Sequence, residues 1–173
     1  MRLLSLLAWI GEVITLRGSP ADAPVGRSAF LQFAALDLLS SIVYLEAVGR
    51  DYAPALIAVL LAIRLGVVYG VIVLFGRPAR FQQTAITMMG VSAMLTFLML
   101  PLATALTRAD PSAADLDLQL LRLGFLGILL WSIVVEAHIW RLAVNLSFWF
   151  ALPLAIGLFI VLNAVASELM AFE

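Results

Sequence analysis

Five apolar runs, each long enough to cross a lipid bilayer, constrain this chain more than any other feature. A helix needs about 20 mostly apolar residues to traverse the hydrocarbon core. Residues 30–48, 53–75, 84–106, 118–141 and 146–169 meet that length, and short polar segments separate them. Of the 173 residues, 64% are hydrophobic and 12% charged, about half the charge of an ordinary soluble domain. A fold of this size leaves much of its surface exposed, so a water-soluble enzyme is excluded. The expected fold class is all-α, a polytopic membrane bundle of about five transmembrane helices. Pro54 suits a first-turn position in the second span. Pro153, inside the fifth, predicts a kink whose freed carbonyl needs another partner.

All ten basic residues are arginine, and their placement sets the expected orientation, because short cytoplasmic loops collect basic residues. Arg2, Arg17, Arg27, Arg77, Arg80 and Arg141 fall at one end of the alternating spans. Arg50, Arg108 and Arg122 fall at the other, mixed with Glu46, Asp51, Asp110, Asp115 and Asp117. This predicts a bacterial inner-membrane protein with a cytoplasmic N-terminus and a periplasmic C-terminus. The fourth junction, 142–146, contains neither proline nor glycine. One unbroken helix over 118–169 would nevertheless be about 78 Å long at 1.5 Å per residue, too long for a single crossing.

Residues 1–17 carry Leu3, Leu6, Leu7, Ile10, Val13, Ile14 and Arg17 at helical spacing. The pattern suits an amphipathic helix lying in the membrane interface, with Trp9 near the headgroups and Arg17 reaching lipid phosphates. An extra span and a signal peptide are the alternatives, although no small-x-small cleavage site closes the run. Residues 18–27 read as a proline-punctuated connector and 28–173 as the transmembrane domain. The longest polar stretch, 107–117, is too short to build a soluble catalytic module.

Two sets of polar residues inside or beside the spans are candidate sites. Asp37 and Arg64 fall at similar depths in neighbouring spans and suit a structural ion pair, since an intramembrane charge is costly without a partner. Arg77, Arg80, Gln82, Gln83, Glu136, His138 and Arg141 fall near the cytoplasmic face. They form an expected anchoring network that could also hold an anionic phospholipid headgroup. A third pattern is a ridge of small residues, Ala58, Ala62, Gly66 and Gly70, which allows close approach of another helix from this chain, a second copy or another membrane protein. Ala151 and Ala155 give the fifth span a shorter version. Met88, Met89, Met94 and Met99 supply adaptable packing. Trp140 and Trp149 belong to the expected interfacial belt with Trp9, whereas Trp131 falls near mid-span. Asn145–Ser147 matches a glycosylation acceptor, but its expected cytoplasmic position argues against use.

Other chemistry has little support. There is no cysteine, His138 is the lone histidine, and the net charge is −1. Thiolate and multi-histidine metal sites within one chain are therefore excluded, and a basic nucleic-acid surface is lacking. No catalytic residue, metal or cofactor is expected.

The chain resembles the Yip1-type superfamily of small membrane proteins, particularly its short bacterial members. The resemblance rests on ITLRGSPADAP (14–24), GRPARFQQT (76–84) and WSIVVEAHIWRLAV (131–144). Arg17, Pro20, Pro24, Gly76, Arg77, Arg80, Phe81, Gln82, His138 and Arg141 are the family-like positions. It implies a body of about five helices acting through partners and self-association. GTPase-binding eukaryotic relatives carry a long cytosolic N-terminal region, and a GTPase-binding role is not expected of this chain. Together these features favour a non-enzymatic scaffold or accessory subunit that self-associates or joins a larger complex. The alternatives are a small transporter or channel using Asp37, Arg64 and Glu136, and a lipid-handling protein built on the arginine cluster.

Overall fold

The structure, a computed structural model, describes residues 3–50, 53–109 and 116–171, with side chains over 5–50, 53–109 and 116–169. The described residues form six α-helices and no strand: α1 Leu3–Ile14, α2 Arg27–Ala47, α3 Pro54–Leu74, α4 Phe81–Arg108, α5 Leu116–Val144 and α6 Phe148–Ala171. Short 3₁₀ turns at Pro20–Asp22 and Pro78–Arg80 precede α2 and α4. Helices α2 to α6 are long and apolar enough to cross a membrane, which makes this a multi-pass membrane protein. Two spans run further than their hydropathy suggests: α4 begins at Phe81 and ends at Arg108, and α5 continues to Val144. Hydropathy undercounts them because helix geometry continues through polar residues that satisfy themselves locally, as Thr107 Oγ1 does on Thr104 O at 3.0 Å. Asp51, Asp110 and Asp115 lie outside the described residues.

Helix α4 is the axis of the bundle. Every residue from Thr84 to Val91 is buried, enclosed by α2 on one side and α5 on another, with α6 packed behind α5. The small residues Ala151 and Ala155 are fully buried and let α6 come close. Gly90 serves the same purpose on α4, since a Cβ there would sit 2.8 Å from the Phe33 ring. Helix α3 is peripheral, with only Ile57, Val68 and Ile72 buried among its residues.

The chain reverses by one device used repeatedly. Leu16, Gly49, Gly76 and Asn145 all take positive φ, between 61° and 68°. After each, the next amide donates to a carbonyl five residues back: Arg17 to Glu12, Arg50 to Leu45, Arg77 to Ile72 and Leu146 to Arg141. This left-handed closure satisfies carbonyls that a helix end leaves open. Asn145 explains the turn that lacks proline and glycine, because asparagine tolerates this conformation better than most residues.

Helix α1 is docked on the flank of the bundle. Trp9, Ile10 and Val13 are buried, Trp9 meets Phe33 edge-on at 6.2 Å, and its indole N–H donates to Ser19 O at 3.3 Å. Trp131 donates to Ile14 O at 3.1 Å. The helix thus runs from α2 across to α5. Trp9 is not a headgroup residue as expected: its apolar stripe covers the bundle, while Leu7 stays exposed. Trp140 also leaves the expected belt, being completely buried, whereas Trp149 is exposed.

Candidate functional site

Helical spacing decides which polar side chains meet inside the bundle. Asp37, Ser41 and Tyr44 share one face of α2; Ile57, Leu61 and Arg64 share one face of α3; Ser132, Glu136 and Ile139 share one face of α5. Residues three and four apart stack on the same side, and all nine line one cavity of about 440 Å³. Helix α4 adds Ser92, Thr96 and Met99, and α6 adds Phe159 and Asn163.

The charged groups share the cavity. Arg64 Nη1 lies 3.6 Å from Asp37 Oδ2 and donates to Ser92 Oγ at 3.0 Å. Glu136 lines the same cavity, and the Arg64 charge acts on it too. Counted along their helices at 1.5 Å per residue, Asp37, Arg64, Ser92 and Glu136 all lie about 12–17 Å from the end that carries Arg27, Arg77 and Arg141. That is well inside the ends of helices long enough to cross a hydrocarbon core about 30 Å thick. Asp37 is 5% exposed, and its Oδ1 has no hydrogen-bond partner. Ser40 and Ser41 donate instead to the Asp37 backbone carbonyl, both at 2.9 Å, which pins this turn of α2. Leu38, Leu60, Leu61, Leu95 and Leu162 make the rest of the wall apolar.

The expected cytoplasmic cluster does not assemble as one network. Arg80 donates to Leu142 O at 2.7 Å and Ala143 O at 3.1 Å, capping the C-terminus of α5, where a cation is favourable. Gln83 donates to Ala21 O at 3.0 Å and holds the 3₁₀ turn before α2. His138 is buried and its Nε2 stands 3.0 Å from Gly18 O, an amide carbonyl of the connector. Glu136 turns to the cavity. The separation follows from helix geometry, since residues two or five apart point to different sides. Arg77 and Gln82 are half-buried beside the 3₁₀ turn Pro78–Arg80, and Arg141 is half-buried in the last turn of α5.

The small-residue ridge faces outward. Ala58, Ala62 and Gly66 are exposed, and nothing lies within 4 Å of where a Cβ on Gly66 or Gly70 would sit. Met88 and Met89 are buried, Met94 is exposed and Met99 lines the cavity. Among the described residues, no group of three or more histidine, aspartate or glutamate side chains could hold a metal ion.

Sequence reading missed Ser92, Thr96, Ser132 and Asn163 as cavity residues. The three-and-four spacing of Ser132, Glu136 and Ile139 was the available signal for α5, while nothing marked the isolated hydroxyls of α4. Compared with protein-family models, curated proteins and solved structures, the chain shows no match.

Proposed function

We propose that the protein binds a small ligand at mid-membrane, as a carrier or channel does, with the Asp37–Arg64–Ser92 group and Glu136 as its polar contacts. One observation carries this reading: the charged residues of three different spans line a single open cavity. A purely structural ion pair would be sealed by close packing, because water-filled space beside it weakens the attraction that holds it. Pockets for drug-sized ligands share this construction, with mostly apolar walls, few polar groups and volumes of about 300–1,000 Å³. The distribution of arginines supports an N-terminus on the cytoplasmic side of a bacterial inner membrane.

Because the chain has no native cysteine, single-cysteine variants test the cavity directly. Thr96→Cys, on the cavity wall, is expected to react with a charged, water-soluble thiol reagent at least tenfold faster than Thr87→Cys. Thr87 is completely buried, and the thiolate that reacts forms only where water reaches. Equal, negligible labelling of both variants in folded protein would refute the hydrated cavity. In sealed vesicles, the side from which Thr96→Cys is labelled also reports the orientation.

A second reading, assembly as a scaffold or accessory subunit, is favoured by the outward ridge on α3. It accords with the self-association that a Yip1-type kinship implies. A Cβ at Gly66 or Gly70 meets nothing within 4 Å, so Gly66→Leu with Gly70→Leu should leave the monomer folded. Any oligomer or complex built on that face should dissociate in mild detergent. An unchanged elution volume on size exclusion would remove the ridge from assembly.

A further inference from the structure

The cavity contains two carboxylates and one guanidinium, from Asp37, Glu136 and Arg64. The other polar groups lining the cavity are neutral: Tyr44 and Ser41 from α2, Ser92 and Thr96 from α4, Ser132 from α5 and Asn163 from α6; the Trp140 indole beside Glu136 is neutral too. With both acids ionised, the site carries one uncompensated negative charge at mid-membrane. Such a charge is expensive there and must be neutralised by a proton or by a cation.

Hydrogen-bond accounting points the same way. Arg64 Nη1 is used on Ser92 and Asp37 Oδ2, leaving the buried Asp37 Oδ1 as an acceptor without a donor. The leucine-rich wall and the size of the cavity suit an apolar body rather than a bare metal ion, which would want six or more oxygens close around it.

We infer that the cavity takes an amphiphilic organic monocation, its charge held between Asp37 and Glu136 and its apolar body against Leu60, Leu95 and Leu162, in exchange for one proton. The inference rests on the cavity-binding reading above and adds the class of ligand. Without ligand, one proton on Asp37 or Glu136 balances the charge of the site. As the cation enters, that carboxyl O–H bond breaks, the proton leaves through the cavity mouth, and the charge of the site is conserved.

The experiment uses the full chain in neutral phosphatidylcholine nanodiscs, with tetraphenylphosphonium and tetraphenylborate as probes of the same shape and opposite charge. Binding is measured against empty nanodiscs from pH 5 to 9, with a pH indicator in weak buffer. Saturable phosphonium binding is expected to be at least tenfold tighter than borate binding. One proton should be released per cation, and the apparent Kd should rise about tenfold per pH unit of acidification while proton and cation compete. Glu136→Gln should abolish the proton release and weaken phosphonium binding at least tenfold.

Saturable borate binding without phosphonium binding would overturn the cation inference and leave the cavity reading standing. Binding of neither probe would overturn both, and phosphonium binding with no proton release and no pH dependence would overturn the exchange. Should Glu136→Gln not fold, the charge-matched probes and the pH series on the unmodified chain decide the question alone.

Discussion

Asp37→Ala with Arg64 left in place is expected to cost the fold about 3 kcal/mol, the lower end of what breaking a buried ion pair costs. The lower end applies because the Arg64 side chain is 25% exposed, which weakens the attraction that is lost, and because Glu136 lies in the same cavity. The variant removes the carboxylate nearest the Arg64 guanidinium, leaving it the Ser92 hydroxyl and the charge of Glu136 across the cavity, and arginine cannot shed its charge. Arg64→Leu should be milder, since the stranded Asp37 can take up a proton and become neutral. Removing both charges together, Asp37→Ala with Arg64→Leu, should recover most of the stability, because the penalty lies in the unpaired ion. Thermal unfolding in mild detergent and abundance in the membrane check the series. Equal costs for the two single variants, with no recovery in the double, would show that packing rather than charge sets the effect.

The second large effect is expected at Gly18. A Cβ there would stand 2.8 Å from the Val13 amide nitrogen and 2.9 Å from Val13 Cγ2. The nearer contact is backbone, so no side-chain rotation relieves it. Gly18 also donates to Glu12 O at 2.9 Å and presents its carbonyl to His138. Gly18→Ala is therefore expected to cost about 1–3 kcal/mol, the usual price of overpacking, and to lift α1 from the bundle. Trp9, now 7% exposed, would become accessible to a water-soluble fluorescence quencher. Gly11→Ala is the matched control: nothing lies within 4 Å of its Cβ position, and alanine in a helix interior should stabilise by up to about 1 kcal/mol. If both variants behave alike, the contact at Gly18 carries no weight.

The number and order of the spans were legible because hydropathy integrates over 20 residues and tolerates local exceptions. The pairing of Asp37 with Arg64 was legible because depth along two adjacent helices can be counted from their ends. What could not be read was direction. Glu136 stands two residues from His138 and five from Arg141, and a list of polar residues near one interface hides the fact that these point apart. Trp9 misled for a related reason: an amphipathic stripe has the same spacing whether it meets lipid or protein. Its partners Phe33 and Ser19 belong to tertiary structure, and so does the crowding at Gly18, an ordinary connector glycine until Val13 is placed beside it. Asn145 carried a readable turn signal, its tolerance of positive φ, but only backbone geometry shows it being used.

Helix α4 bears on how the chain enters the membrane. It is the most enclosed span, yet it is synthesised before α5 and α6, so its central face must first meet lipid. Two hydroxyls of its buried stretch are prepared for that interval. Thr84 Oγ1 donates to Arg80 O at 2.9 Å and Thr87 Oγ1 to Gln83 O at 2.7 Å, so neither needs a later helix to satisfy it. A span whose polar atoms are satisfied within its own turns can partition into hydrocarbon alone. The last two helices can then close over a core that was already stable in lipid.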